Sequence, residues 1–163
     1  MAIWTFLGTN PHQITLLQSV SRLQIVDDPG IYVLLAPEGT EYRYPKATSP
    51  IFYIGRSDTL CDRIDTHRKR VQAVVDRRAP GLEWPRYEYA AAHGCRVAAF
   101  PADIGTTAGC KLLESDVIAL FASVFGAPPV ANGSANRDTV LRRIAHAPPL
   151  GLSNRPWLRK SPG

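Results

Sequence analysis

Cysteine is scarce in this chain and carries no pattern. Cys61, Cys95 and Cys110 are odd in number and widely spaced, with no Cys-x-x-Cys pair. Neither a disulfide framework nor a zinc site is indicated, and the thiols read as small buried side chains in a reducing compartment. No apolar run approaches the ~18 residues of a membrane span, and "MAIWTFLGTN" lacks the basic start of a secretory leader. These absences point to the cytoplasm and away from a membrane. A Gly-rich phosphate loop or dinucleotide fingerprint is missing too, which leaves a metabolic enzyme with a small anionic substrate weakly supported. With no repeats and no low-complexity segment, the 163 residues read as a single domain with its own core.

Acid is outnumbered by base, 14 Asp+Glu against 19 Lys+Arg, for a net charge of +5. Seven of the cations, Arg56, Arg63, Arg68, Lys69, Arg70, Arg77 and Arg78, fall between residues 56 and 78. A phosphate-rich partner is the natural inference, with a solvated helix face as the plainer alternative.

The apolar pattern divides the chain into elements. Asn10 and Pro11 can cap and start a helix that carries Ile14, Leu17, Val20 and Leu23. After the turn "DDPG", "IYVLLAP" and later "IFYIG" are short, continuous apolar runs of the kind found in buried strands. Between them "EGTEYRYPKATSP" is polar with two prolines, a long loop or hairpin arm. Leu60 to about Arg78 is helical, with Leu60, Ile64, Val71, Val74 and Val75 as its apolar stripe. "RYEYAAAHGCRVAAFPAD" reads as a strand, or a hairpin turning at His93 and Gly94. Thr106 or Thr107 then caps a second helix, "AGCKLLESDVIALFASVFG", that stops at Gly126. "RDTVLRRIAHA" suits a short basic helix, and the proline-rich tail a strap.

Two polar residues sit where apolar ones would serve a fold better. His67 falls between Ile64 and Val71, and Arg63 precedes it by one turn on the same face. On the second helix Glu114 is in line with Ile118, Phe121 and Phe125, where an ionised carboxylate is costly unless it is paired or binds a cation. A lone polar residue of either kind is commonly a satisfied core or margin residue; together they suggest a site.

With these residues in view, the chain resembles the GIY-YIG nuclease family. Gly30, Ile31 and Tyr32 open one strand; Tyr53, Ile54 and Gly55 lie on the next. Arg63 follows Gly55 by eight residues and His67 comes four later; Glu114 and the Asn132 of "PPVAN" complete the set. The resemblance covers residues 29–133, leaving residues 1–28 as a helical extension and 134–163 as a basic, proline-rich one. It implies an α/β domain with a small central, mainly antiparallel three-stranded sheet flanked by helices. The family's two triplets usually lie closer together; here 20 residues separate Tyr32 from Tyr53. The basic and aromatic residues of the enlarged loop, Tyr42, Arg43, Tyr44 and Lys46, are candidates to touch phosphates and stack bases.

The implied activity is divalent-metal-dependent hydrolysis of phosphodiester bonds. Glu114 would hold one Mg²⁺ or Mn²⁺, because such hard cations accept a single carboxylate plus waters and a phosphate oxygen. A two-metal site would need clustered acids that the sequence lacks. Arg63 and Arg56 offer charged forks to the scissile phosphate. Tyr53, Tyr32 and His67 are the candidates for general base, with Tyr53 preferred, His67 assisting and Tyr32 orienting the water or phosphate. Asn132 would anchor the carboxylate on the metal side or tie the last segment to the site. Arg43, Lys46, Arg56, Arg68, Lys69 and Arg70 are the candidate nucleic-acid contacts, with DNA favoured over RNA. No separate recognition domain fits in this length, so specificity is low, or flanking segments and a protein partner supply it. A non-catalytic nucleic-acid-binding module on the same scaffold is the alternative.

Overall fold

The computed structural model describes residues 14–17, 27–76, 87, 90, 94–101, 107–132 and 144–146. Its centre is β2, Gly30–Leu35, a run of six residues with every side chain buried. Flanking it are β5, Ile51–Ser57, and β6, Arg96–Pro101, both antiparallel to it. A further strand, β1 (Ile14–Leu16), pairs with the far side of β6 and gives a four-stranded sheet of order β1-β6-β2-β5. The α/β class is therefore as expected, with one strand more than expected in the sheet.

That extra strand replaces the expected N-terminal helix over Ile14–Leu16; Val20 and Leu23 of the expected stripe lie outside the described residues. The spacing of Ile14, Leu17, Val20 and Leu23 fits a helix, but the free edge of β6 offers Ile14–Leu16 a full ladder of backbone partners, and tertiary pairing outweighs local propensity. The candidate cap Asn10 lies outside the described residues. Leu17 closes the pairing by donating its N–H to the Cys95 carbonyl at 2.5 Å.

Two helices cover the sheet. The first, α1 (Leu60–Val75), buries Leu60, Cys61, Ile64, His67 and Val71; Val75, expected on the stripe, is exposed. The second, α2 (Thr107–Phe125), buries Cys110, Val117 and Phe121. It ends at Gly126, whose φ of 83° and N–H donated to Ala122 O at 2.8 Å make a left-handed cap. All three cysteines are free and buried. Among the described residues no helix is long and apolar enough to cross a membrane.

The segment "RYEYAAAHG" departs from expectation: its described residues Tyr87 and Ala90 have helical backbone. Gly94, at φ 86°, donates its N–H to Ala90 O at 2.8 Å, so it caps a helical turn rather than turning a hairpin. Among the described residues of this stretch, strand is confined to Arg96–Pro101.

The enlarged loop is a hairpin arm. β3 (Glu41–Arg43) and β4 (Thr48–Ser49) pair antiparallel, and β7 (Ile144–His146) joins β3 on its other side. The expected basic helix at "RDTVLRRIAHA" is thus corrected to include a strand, because β3 has an edge to fill. The arm's aromatics are core residues: Tyr42 packs on Phe52, and Tyr44 packs edge-on against Phe121 with ring centroids 4.9 Å apart. Tyr44 also donates its hydroxyl to Ile51 O at 2.6 Å and accepts the N–H of Val130 at 3.2 Å.

Candidate functional site

Register places the site. Tyr32 on β2 is directly opposite Gly55 on β5, so the two would project from the same face of the sheet. A Cβ built on Gly55 would lie 2.5 Å from both Cζ and Oη of Tyr32 and 2.8 Å from Cε1 of Tyr53. Gly55 is the space into which the phenol leans. At Gly30 the constraint comes from the backbone: a Cβ there would lie 2.3 Å from the carbonyl oxygen of Phe100, so only glycine lets β2 approach β6 so closely.

Helix α1 then delivers two polar side chains to the Tyr32 hydroxyl. His67 Nε2 is 2.7 Å from Tyr32 Oη, and Arg63 Nε–H donates to the same oxygen at 3.2 Å. Their spacing of one turn puts both on the helix face that meets β2, as the sequence suggested. Tyr32 and His67 are both buried, at 0% and 1% exposure, so their polar atoms depend on partners within the protein. Burial, first of all, holds the Tyr32 hydroxyl well above the ordinary tyrosine range, and the neighbouring Tyr53 adds to this; the Arg63 contact acts in the opposite sense. Burial opposes the charge of Arg63 as well. There the hydrogen bonds and charge attraction of the Tyr32 and Tyr53 oxygens win, and hold it above its usual value.

Tyr53 is the more accessible tyrosine, half-buried at the rim. It shares a hydrogen bond with Tyr32, and its ring stands edge-on to His67 with centroids 5.9 Å apart. His67 thus meets Tyr53 through this ring contact and through their shared neighbour Tyr32.

Glu114 reaches the site from α2. Its Oε2 lies 3.3 Å from Nε of Arg56, with side-chain exposures of 24% and 30%. Burial raises its carboxyl above the ordinary carboxylate value, and the charges of Arg56 and Arg63 offset this only in part. The structure therefore joins Tyr32, Tyr53, Gly55, Arg56, Arg63, His67 and Glu114 in one cluster. Among the described residues, no group of three or more His, Cys, Asp or Glu could hold a metal ion. What the cluster offers a hard cation is one half-buried carboxylate with an open side for water, which fits a one-carboxylate ion and nothing richer.

Asn132 stands apart from the carboxylate. Its Oδ1 accepts the N–H of Ile54 at 2.8 Å and its Nδ2 donates to Ile54 O at 2.6 Å. Of the two roles expected for it, the structure places it in the second: it ties the last segment to the strand that carries Tyr53 and Gly55.

The candidate nucleic-acid residues separate similarly. Arg43 is exposed on the arm. Lys46 caps α2, its N–H on Phe125 O and its Nζ on Ser123 O, both at 3.0 Å. Some eleven helical residues from Glu114, that end of α2 is about 16 Å along the axis from it. The carbonyls and negative dipole of a helix end favour a lysine there, and this position stands apart from the Glu114 cluster. Arg68 and Lys69 both clasp Asp65 at 2.8 Å, and these two bonds hold the Asp65 carboxyl below its usual value. Arg70 places its guanidinium 5.8 Å from the ring centroid of Tyr87. Arg77 and Arg78 lie outside the described residues.

Sequence reading missed one member of the cluster. Tyr87, only 2% exposed, sets its hydroxyl 2.7 Å from His67 Nδ1. The only available signal was the Tyr87, Ala90, Gly94 spacing of a capped helical turn. No family model matches this chain, and no curated protein or solved structure matches it either.

Proposed function

We propose that the chain is a divalent-metal-dependent endonuclease that hydrolyses phosphodiester bonds, DNA in preference to RNA, by GIY-YIG-type single-metal chemistry. The observation that carries this reading is the convergence of an Arg56–Glu114 ion pair with a Tyr32, Arg63 and His67 hydrogen-bond cluster over a glycine that only a missing side chain makes possible. A fold alone has no use for two arginines, a carboxylate and a buried histidine side by side.

Glu114 is the residue that would hold Mg²⁺ or Mn²⁺, an ion that supplies neutralisation of developing charge and a stabilised leaving oxygen. The rest is done by the chain. Arg56, a third exposed, binds the phosphate and releases Glu114 when it does so. Arg63 is held by its Nε to Tyr32 and also bonds Tyr53, and its remaining N–H groups are offered to a second phosphate oxygen. Tyr53, at the rim, is the group placed to take the proton of the attacking water. Tyr32, wholly buried and with its hydroxyl pushed upward, stays protonated and orients its neighbours instead.

The test is cleavage of single-stranded DNA, duplex DNA and RNA with Mg²⁺ or Mn²⁺, with chelator, and with Glu114→Ala. Cleavage should need the ion and vanish in the variant. Activity that survives either change rules the mechanism out, and binding without cleavage on every substrate would make the chain a nucleic-acid-binding module.

A further inference from the structure

The buried end of the cluster is longer than phosphate chemistry requires. Beyond Tyr32 lies His67, and beyond His67 lies Tyr87, each link 2.7 Å long and all three side chains at most 2% exposed. A neutral histidine donates from one ring nitrogen and accepts at the other, so the two neighbours of His67 cannot be set independently.

Three observations fix the sense of the chain. Arg63 has no acceptor, so its contact with Tyr32 Oη is a bond donated to that oxygen. Tyr53 is also a neighbour of Tyr32, with ring centroids 6.0 Å apart, so the single proton of Tyr32 goes either to His67 or to Tyr53. Finally, the Arg70 guanidinium 5.8 Å over the Tyr87 ring draws electron density from the phenol, making its hydroxyl a better donor and poorer acceptor. Tyr87 then donates to Nδ1, and His67 carries its proton on Nε2 and donates to Tyr32. The proton of Tyr32 is left facing Tyr53.

We propose that Tyr87 is a positioning residue for the reaction: by fixing the Nε2–H tautomer of His67 it runs the hydrogen bonds one way, Tyr87 to His67 to Tyr32 to Tyr53, so that the rim tyrosine oxygen is supported from within while it accepts the proton of water. Outer partners of this kind set the tautomer and orientation of a histidine without touching substrate. The role rests on the nuclease reading above, since Tyr53 needs such support only if it takes a proton.

Two measurements on the full chain test it. In ¹⁵N NMR, His67 Nδ1 should show the character of an unprotonated acceptor nitrogen and Nε2 that of a protonated one. Tyr87→Phe, which keeps the ring, should mix the two tautomers and lower kcat about 10- to 100-fold with little change in KM, the scale of lost outer-partner contacts. In a Tyr32→Phe background the same substitution should have almost no further effect on kcat, because the path from His67 to Tyr53 is already cut. A cleaving wild type whose Tyr87→Phe variant is equally fast, or whose His67 carries its proton on Nδ1, overturns this role alone. A wild type that cleaves nothing overturns the nuclease reading and this role together.

Discussion

Tyr32 and Gly55 face each other across β2 and β5, and the phenol occupies the place where a side chain at residue 55 would stand. Gly55→Ala therefore forces a methyl group into Tyr32. Overpacking of a fixed ring costs about 1–3 kcal/mol, and a drop of several degrees in Tm is expected. Combining it with Tyr32→Leu removes the clash, so the double variant should be more stable than the two separate losses would give. Additive losses would mean that the two residues do not collide.

Asn132 makes a different claim on the same strand. Asn132→Ala leaves the N–H and C=O of Ile54 without their partner, a loss of about 1–3 kcal/mol by thermal or denaturant melting. Asn132→Asp keeps the acceptor but sets an oxygen against Ile54 O, and should be no better than alanine at neutral pH. A stable aspartate variant would contradict the two-way bond.

Glu114 predicts an opposition between stability and activity. Its carboxyl is raised in the folded chain, so its contribution to stability is present at low pH and is lost as pH rises through the carboxylate range. Glu114→Gln, neutral throughout, should lack this loss. Between about pH 4 and pH 7, its Tm relative to wild type should climb, even as cleavage disappears. A Tm for Glu114→Gln that falls below wild type at neutral pH would show that the Arg56 pair outweighs the burial of the charge.

The cations of α1 and the arm should divide by experiment. Affinity for nucleic acid should fall steeply with salt, and Arg43→Ala or Arg70→Ala should each lower the salt slope by about one if the residue meets a phosphate. Lys46→Ala should instead lower Tm and leave the slope unchanged, since its ammonium is engaged by the end of α2. A reduced slope with unchanged Tm would return Lys46 to the binding surface.

Legibility in the sequence followed the range of the interaction. β2, β5, α1 and α2 were readable because each carries its own periodic or continuous apolar signal, and Arg63 with His67 because one helical turn relates them. Glu114 was noticeable as a charge in an apolar row, although its Arg56 partner could not be assigned from spacing. The failures were settled by partners distant in sequence. Ile14–Leu16 became strand because β6 had an open side, and Ile144–His146 because β3 had one. Tyr42 and Tyr44 passed from presumed stacking residues to core because Phe52 and Phe121 face them. Tyr87 reaches His67 across 20 residues of chain by packing alone, and no local pattern records that.

The grip of Asn132 on Ile54 has a meaning for solution behaviour. β5 is the last strand of its sheet, and an uncovered last strand invites the same strand of another molecule. Asn132 takes both polar groups of Ile54 on that outer side, and the N–H of Ala131 takes the Phe52 carbonyl at 2.9 Å. A short turn thus does for this border what a fifth strand would otherwise do. Until residue 132 is in place, the strand bearing Tyr53 and Gly55 is open to self-association, so truncation before this turn should yield aggregates rather than a smaller soluble fold.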